Sequence, residues 1–221
     1  MNRRRLALIG CLTILVLAGW NSNCVHGFAD DATAKAEKED GFVPLFNGKD
    51  LTGWEGDKTL FKAEDGMIVG DSKGIKHNEF LATTKTFGDF ELRLEFRLRD
   101  GKGNTGVQFR SKRVPNNTEV SGYQADLGEK YWGCLYDESR RNKVLVQAPE
   151  GLAKVLKPDG WNSYVIRAEG DHITLAINGF KTVDYRETDA NIARDGIIAV
   201  QVHSGPPLRV EFRNLRIKEL K

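Results

Sequence analysis

The side chains best suited to chemistry in this sequence fall in three short runs with a period of two. In NTGVQFR, Asn104, Gln108 and Arg110 lie opposite Val107 and Phe109. In SGYQADL, Gln124 and Asp126 alternate with Tyr123, Ala125 and Leu127. In IIAVQVH, Gln201 and His203 share the face opposite Val200 and Val202. Successive side chains of a strand point to opposite faces. Three adjacent strands with a common apolar side must therefore gather Gln108, Arg110, Gln124, Asp126, Gln201 and His203 on the other side. The expected product is a concave pocket of amides, a guanidinium, a carboxylate and an imidazole on a rigid platform. Gly106 and Gly122 interrupt these runs, where a ligand or another backbone can come close. Tyr123 has the parity of the apolar residues, so it either buries its ring or is turned outward by a bulge.

A fourth run precedes them. From Phe90 to Arg99 the chain alternates without a break, with Phe90, Leu92, Leu94, Phe96 and Leu98 on one face and Glu91, Arg93, Glu95, Arg97 and Arg99 on the other. Such alternation predicts a half-buried antiparallel strand. Asp100-Gly101-Lys102-Gly103 then reverses the chain, and if the strands on either side are sheet neighbours, Glu95 joins the same polar surface. After Leu127 the pattern becomes irregular and concentrates Tyr131, Trp132, Tyr136, Asp137, Glu138, Arg140 and Arg141. A long irregular segment in a compact domain is either a binding loop or a surface loop pinned by its aromatics.

The elements that must hold these residues are short strands. Gly170-Asp171 and Asn178-Gly179 each sit between alternating runs, as hairpin turns do. No long stretch has helical periodicity, and the 23 glycines accompany no repeated blade motif. The expected fold is all-β: a two-sheet antiparallel jelly-roll sandwich over residues 41–221.

Arg3, Arg4 and Arg5 head the apolar run LALIGCLTILVLAGW, which is short for a membrane span and reads as an export signal over residues 1–29, with cleavage after Ala29. Residues 30–40 form a charged, alanine-rich spacer. Removing the signal leaves 30 basic and 31 acidic residues, a net charge near −1. That balance gives no reason to expect nucleic-acid binding, or membrane binding after cleavage. The destination is periplasmic or extracellular. Only Cys134 remains, which excludes an internal disulfide. His26, His77, His172 and His203 are too scattered for a zinc site, and the serine-hydrolase elbow, the phosphate-binding loop and the HExxH helix are all absent. Neither a metal nor a cofactor is expected.

FVPLFNGKDLTGW, FGDFELRLEFRL, GNTGVQFR, GYQADLG, WNSYVIRAEGDHITLAINGFKTVDY and VEFRNLRI, in this order, resemble the 3-keto-disaccharide hydrolase domain family from about Gly41 to Leu220. The resemblance implies a concanavalin A-like jelly roll in an exported bacterial protein acting on sugars. It also implies a chemistry. A ketone at C3 of a glucosyl unit acidifies the C2 hydrogen, a base removes that proton, and the enolate expels the glycosidic oxygen from C1 before water adds back. The protein must supply a base, a stabiliser for the enolate oxygen and an acid for the leaving group. On this reading Asp126 is the first candidate base, with Glu95 and Glu138 as rivals. Arg110 or His203 would face the oxyanion. Gln108, Tyr123, Gln124, Tyr136, Arg140 and Gln201 would hold the sugar.

Two alternatives use the same residues. Arg93, Glu95, Arg97, Arg110 and Asp126 would equally form a structural ion-pair network. A non-catalytic carbohydrate-binding module would present the same sandwich, aromatics and polar face.

Overall fold

A computed structural model describes residues 41–221. The expected export signal and spacer lie outside the described residues. Fifteen strands make up most of the domain: β1 (Val43–Pro44), β2 (Trp54–Glu55), β3 (Phe61–Glu64), β4 (Met67–Ser72), β5 (Glu79–Thr83), β6 (Phe90–Leu98), β7 (Asn104–Arg113), β8 (Val120–Gly128), β9 (Leu135–Glu138), β10 (Lys143–Val146), β11 (Asn162–Glu169), β12 (His172–Ile177), β13 (Phe180–Arg186), β14 (Ile197–Val202) and β15 (Leu208–Glu219). Among the described residues the only helical turns are three short 3₁₀ segments, and no helix is long and apolar enough to cross a membrane.

The strands form two antiparallel sheets. One runs β13-β12-β11-β6-β15-β4-β3, with β1 added against β15. The other runs β10-β9-β8-β7-β14-β5-β2. Alternation decides which faces meet. Phe90, Leu92, Leu94, Phe96 and Leu98 of β6 are buried, as are Val107 and Phe109 of β7 and Val200 and Val202 of β14, all in one apolar core. This is the jelly-roll sandwich that the turn spacing and alternation predict. Asn178 and Gly179, both at positive φ, close the β12–β13 hairpin as the Asn-Gly pair requires.

Two features depart from simple alternation. The turn after β6 does not make β6 and β7 neighbours. Arg99–Gly101 forms a 3₁₀ turn with Asp100 at φ 58°, and the chain passes from one sheet to the other. β6 instead lies between β11 and β15, where its charged face finds partners: Glu95 accepts from Arg213 Nε at 2.5 Å and Asn214 Nδ2 at 3.0 Å. The second departure is a bulge. The β7–β8 register shifts between Phe109 and Lys112, and Arg110 sits there at φ 46°. The extra residue takes Arg110 out of the face that parity assigned to it.

Candidate functional site

The register of the seven-stranded sheet builds a polar surface on the side away from the core. Ala199 of β14, Gln108 of β7, Gln124 of β8 and Tyr136 of β9 lie in one cross-strand row. In the next row Asp126 stands opposite Gly106, and continuing the β14 register brings Gln201 to the level of Gly106, with Phe80 of β5 on its other side. In the row beyond Tyr136, Glu138 stands opposite Gly122. An apolar cluster of Phe80, Ala82, Val120 and Ala199 flanks this surface.

The missing side chain of Gly106 has a use. A Cβ there would lie 2.6 Å from Gln124 Cγ, so the Gln124 side chain occupies the space over the bare glycine. From that position it completes a chain of hydrogen bonds. Ser111 Oγ donates to Gln108 Oε1 at 2.9 Å, and Gln108 Nε2 donates to Gln124 Oε1 at 2.7 Å. Gln124 in turn hydrogen-bonds the Asp126 carboxylate. Asn104 Nδ2 and the Leu127 amide each donate to Asp126 Oδ1 at 2.8 Å.

Burial nevertheless dominates the titration of Asp126. Loss of hydration pushes its carboxyl up to about 7, against the lowering effect of the Asn104, Gln124 and Leu127 hydrogen bonds. Glu138 is also pushed up to about 7, first by burial and then by the negative charges of Glu119 and Asp126. Tyr136, whose row lies between those of the two carboxyls, has its phenol raised by burial and by Glu138. Two acids poised near neutrality on one sheet face, with a phenol between their rows, can divide the work of giving and taking protons. Gln201 adds an unspent group: its side chain is buried, and neither Nε2 nor Oε1 has a hydrogen-bond partner.

The structure thus brings together Gln108, Gln124, Asp126, Gln201, Tyr136 and Glu138. His203 lies just past the end of β14, with Nδ1 2.7 Å from the Ser204 carbonyl oxygen. A carbonyl only accepts, so Nδ1 is the donor in this contact.

Four expected site residues lie elsewhere. Glu95 is on the outer face of the other sheet, held by Arg213. Arg110, displaced by the bulge, donates to Gly88 O, Gly170 O and Asp89 Oδ1 at 3.0, 2.7 and 2.6 Å, and so ties β7 to the opposite sheet. Tyr123 follows its apolar parity. Its ring is buried against Phe109 with centroids 5.6 Å apart, and its hydroxyl donates to Glu187 Oε2 at 2.6 Å. Arg140 lies on that inner side too, its guanidinium 4.5 Å from the Tyr123 centroid and its Nε donating to Asp137 Oδ1 at 2.7 Å. The five-residue network does not form, since Arg93 pairs with Glu91, Arg97 with Glu211, Arg110 with Asp89 and Glu95 with Arg213.

Sequence reasoning left Ser111 out of the site and gave Asn104 no role. Asn104 shares the parity of Gln108, which was the available signal. Ser111 reaches the outer face only because of the bulge, which no spacing announces. Among the described residues no three His, Cys, Asp or Glu side chains converge as a metal-binding set.

Solved structures share this architecture. A candidate glycosyl hydrolase from Parabacteroides distasonis superposes with a TM-score of 0.62 at 21% identity, over 82% of this chain and 94% of its own. A carbohydrate binding module from Bacillus subtilis gives 0.57 at 17% identity, over 76% and 96%. A β-glucanase from Bacillus licheniformis gives 0.54 at 11% identity, over 81% and 97%. At these identities the likeness establishes the shared fold. No curated protein matches the sequence. The sequence pattern of the 3-keto-alpha-glucoside-1,2-lyase-like domain matches residues 41–218, and the chain belongs to that family.

Proposed function

We propose that the domain cleaves 3-keto glycosides by elimination across C1 and C2, on the outer face of the seven-stranded sheet. The observation that carries this reading is the pair of carboxyls, Asp126 and Glu138, both raised to about 7 on one surface. A base with that affinity for protons is matched to a neutral medium, and an acid with the same affinity still holds its proton there.

Asp126 takes the proton from C2, which the neighbouring ketone has made acidic. Its hydrogen bonds from Asn104 and Leu127 both end on Oδ1, and they orient the carboxylate for that transfer. The electron pair moves onto the C3 oxygen, where the Tyr136 hydroxyl donates to the developing charge. As the C1–O bond breaks, Glu138 delivers its proton to the departing oxygen. Water then adds across the C1–C2 double bond, hydroxyl to C1 and hydrogen to C2, so elimination and hydration together equal hydrolysis. Gln201, with both ends of its amide unspent, would hold a sugar hydroxyl beside Gly106, and Tyr136, which is only partly buried, offers ring surface.

The chain of hydrogen bonds from Ser111 to Asn104 also supports a second reading, a carbohydrate-binding module in which Asp126 is structural. Turnover separates the two. Incubation with 3-keto-trehalose or an aryl 3-keto-glucoside should release the free sugar or phenol. Binding of unoxidised glycans with no release from either keto substrate would select the module.

A further inference from the structure

The same two strands carry a second, cationic pocket on their other side. A cavity of about 200 Å³ opens at the rim of the sandwich beyond Tyr123. Arg110, Lys112, Ser121, Arg140 and Asn191 line it, with Ile192 and Ala193 completing the wall, and no acidic side chain is among them. Ser121 and Tyr123 share strand parity, so this is the inner side of β8, opposite the Gln124–Asp126 surface.

The charge here is unusual for this domain. On the eight-stranded sheet Arg93, Arg97, Arg167, Arg186, Arg209 and Arg213 each reach a carboxylate, and Arg209 alone reaches Glu64, Asp71 and Glu211. Around the pocket the balance fails. Lys112 and the nearby Arg194 make no ion pair among the described residues, and Arg194 lies close enough to Arg110 to disfavour its charge. Arg140 is fixed on one side by Asp137 and beneath by the Tyr123 ring. Its Nη2 is buried and has no acceptor. A buried guanidinium donor left unpaired costs more than a made hydrogen bond returns, so an acceptor arriving at this point gains from both charge and geometry.

We propose that this pocket is an oxyanion site, taking a sulfate or a carboxylate group against Arg140, Lys112 and Ser121. The cavity falls below the roughly 300–1,000 Å³ of whole-ligand pockets, which fits a substituent or a small ion and excludes a buried oligosaccharide. The shared chemistry is a compact anion with two or three acceptor oxygens. It is either a free inorganic ion or the acidic group of a sugar.

The test is titration of the full chain, by calorimetry and thermal shift, with sodium sulfate, sodium glucuronate and glucose, against sodium chloride at matched ionic strength. Saturable binding of sulfate or glucuronate, absent with chloride and glucose, is the expected result. Sulfate alone would point to an inorganic ion, and glucuronate to an acidic sugar. Lys112→Gln, at an exposed position, and Arg140→Gln should each weaken binding at least fivefold, while Lys73→Gln, just past the end of β4, should not. No saturation with either anion, or affinity unchanged in Lys112→Gln, would overturn the site even if Arg140→Gln failed to fold.

Discussion

Gln124 lies over Gly106 so closely that a Cβ on the glycine would come within 2.6 Å of its Cγ. The side chain that hydrogen-bonds Asp126 is therefore seated by the absence of another. Gly106→Ala should force Gln124 aside and break its bonds to Gln108 and Asp126. Overpacking of this kind costs about 1–3 kcal/mol, readable by urea denaturation. Asp126, having lost a lowering partner, should titrate higher still, which carboxyl-selective infrared or NMR titration would show. A variant with unchanged stability and unchanged Asp126 titration would refute the arrangement.

Asp126→Asn retains the shape and removes the base, so turnover of a 3-keto glycoside should fall about a hundredfold or more. Stability should respond with a definite sign. Asp126 has a higher proton affinity folded, about 7, than its ordinary 3.8. Its contribution is fully present below pH 3.8 and is lost as the pH rises through 7. The melting temperature of wild type relative to Asp126→Asn should therefore fall between pH 4 and pH 8. A difference independent of pH would mean that the carboxyl is not raised.

Glu138→Gln should remove the proton donor while leaving Asp126 in place. With both groups near 7, the rate of wild type should pass through a narrow maximum around neutrality whose limbs belong to the coupled pair. In Glu138→Gln the alkaline limb should vanish, and the remaining rate should favour substrates with acidic leaving groups such as nitrophenol. Persistence of the alkaline limb would assign it elsewhere.

Arg110→Lys tests the staple. Three acceptors in different directions suit a guanidinium fork and not an ammonium. The substitution should destabilise the domain by about 1–3 kcal/mol and leave KM for a keto substrate unchanged. A raised KM with normal melting would return Arg110 to the sugar site.

Glu211→Gln should cost about 2–4 kcal/mol, because a buried carboxylate leaves its cations uncompensated. Glu211 accepts from Arg97 Nε at 2.6 Å, Arg209 Nε at 2.9 Å and Arg99 Nε at 3.2 Å. Burial pushes its carboxyl up, but the Arg209 and Arg97 hydrogen bonds and the charges of Arg97 and Arg99 outweigh it and hold the carboxyl below the usual carboxylate range. Guanidinium denaturation read by tryptophan fluorescence would measure the loss.

The sequence carried the part of this architecture that is local. Parity alone placed Gln108, Gln124, Asp126 and Gln201 on one face, because β8, β7 and β14 are neighbours and keep their period through these residues. Parity could not place Arg110, since a bulge inserts a residue without any mark in the pattern. It could not place Glu95, because whether β6 continues into β7's sheet or crosses to the other depends on partners more than a hundred positions away, Arg213 and Glu211 among them. Glu138 stood in the sequence as a rival base in an irregular stretch, with no strand parity to place it. Its relation to Asp126 required knowing that β9 returns alongside β8.

The position of β15 has a consequence for how the domain comes into being. This last strand of the domain is central in its sheet, paired to β6 on one side and β4 on the other, and it also receives β1. A nascent chain that has reached only β14 holds β6 with one edge open and β4 with no neighbour on that side. Closing loops of such length is slow and adds stability only at the end. Synthesis must therefore pass through Leu208–Glu219 before the sheet can close, and until then the polypeptide remains open enough to be threaded, captured or cut.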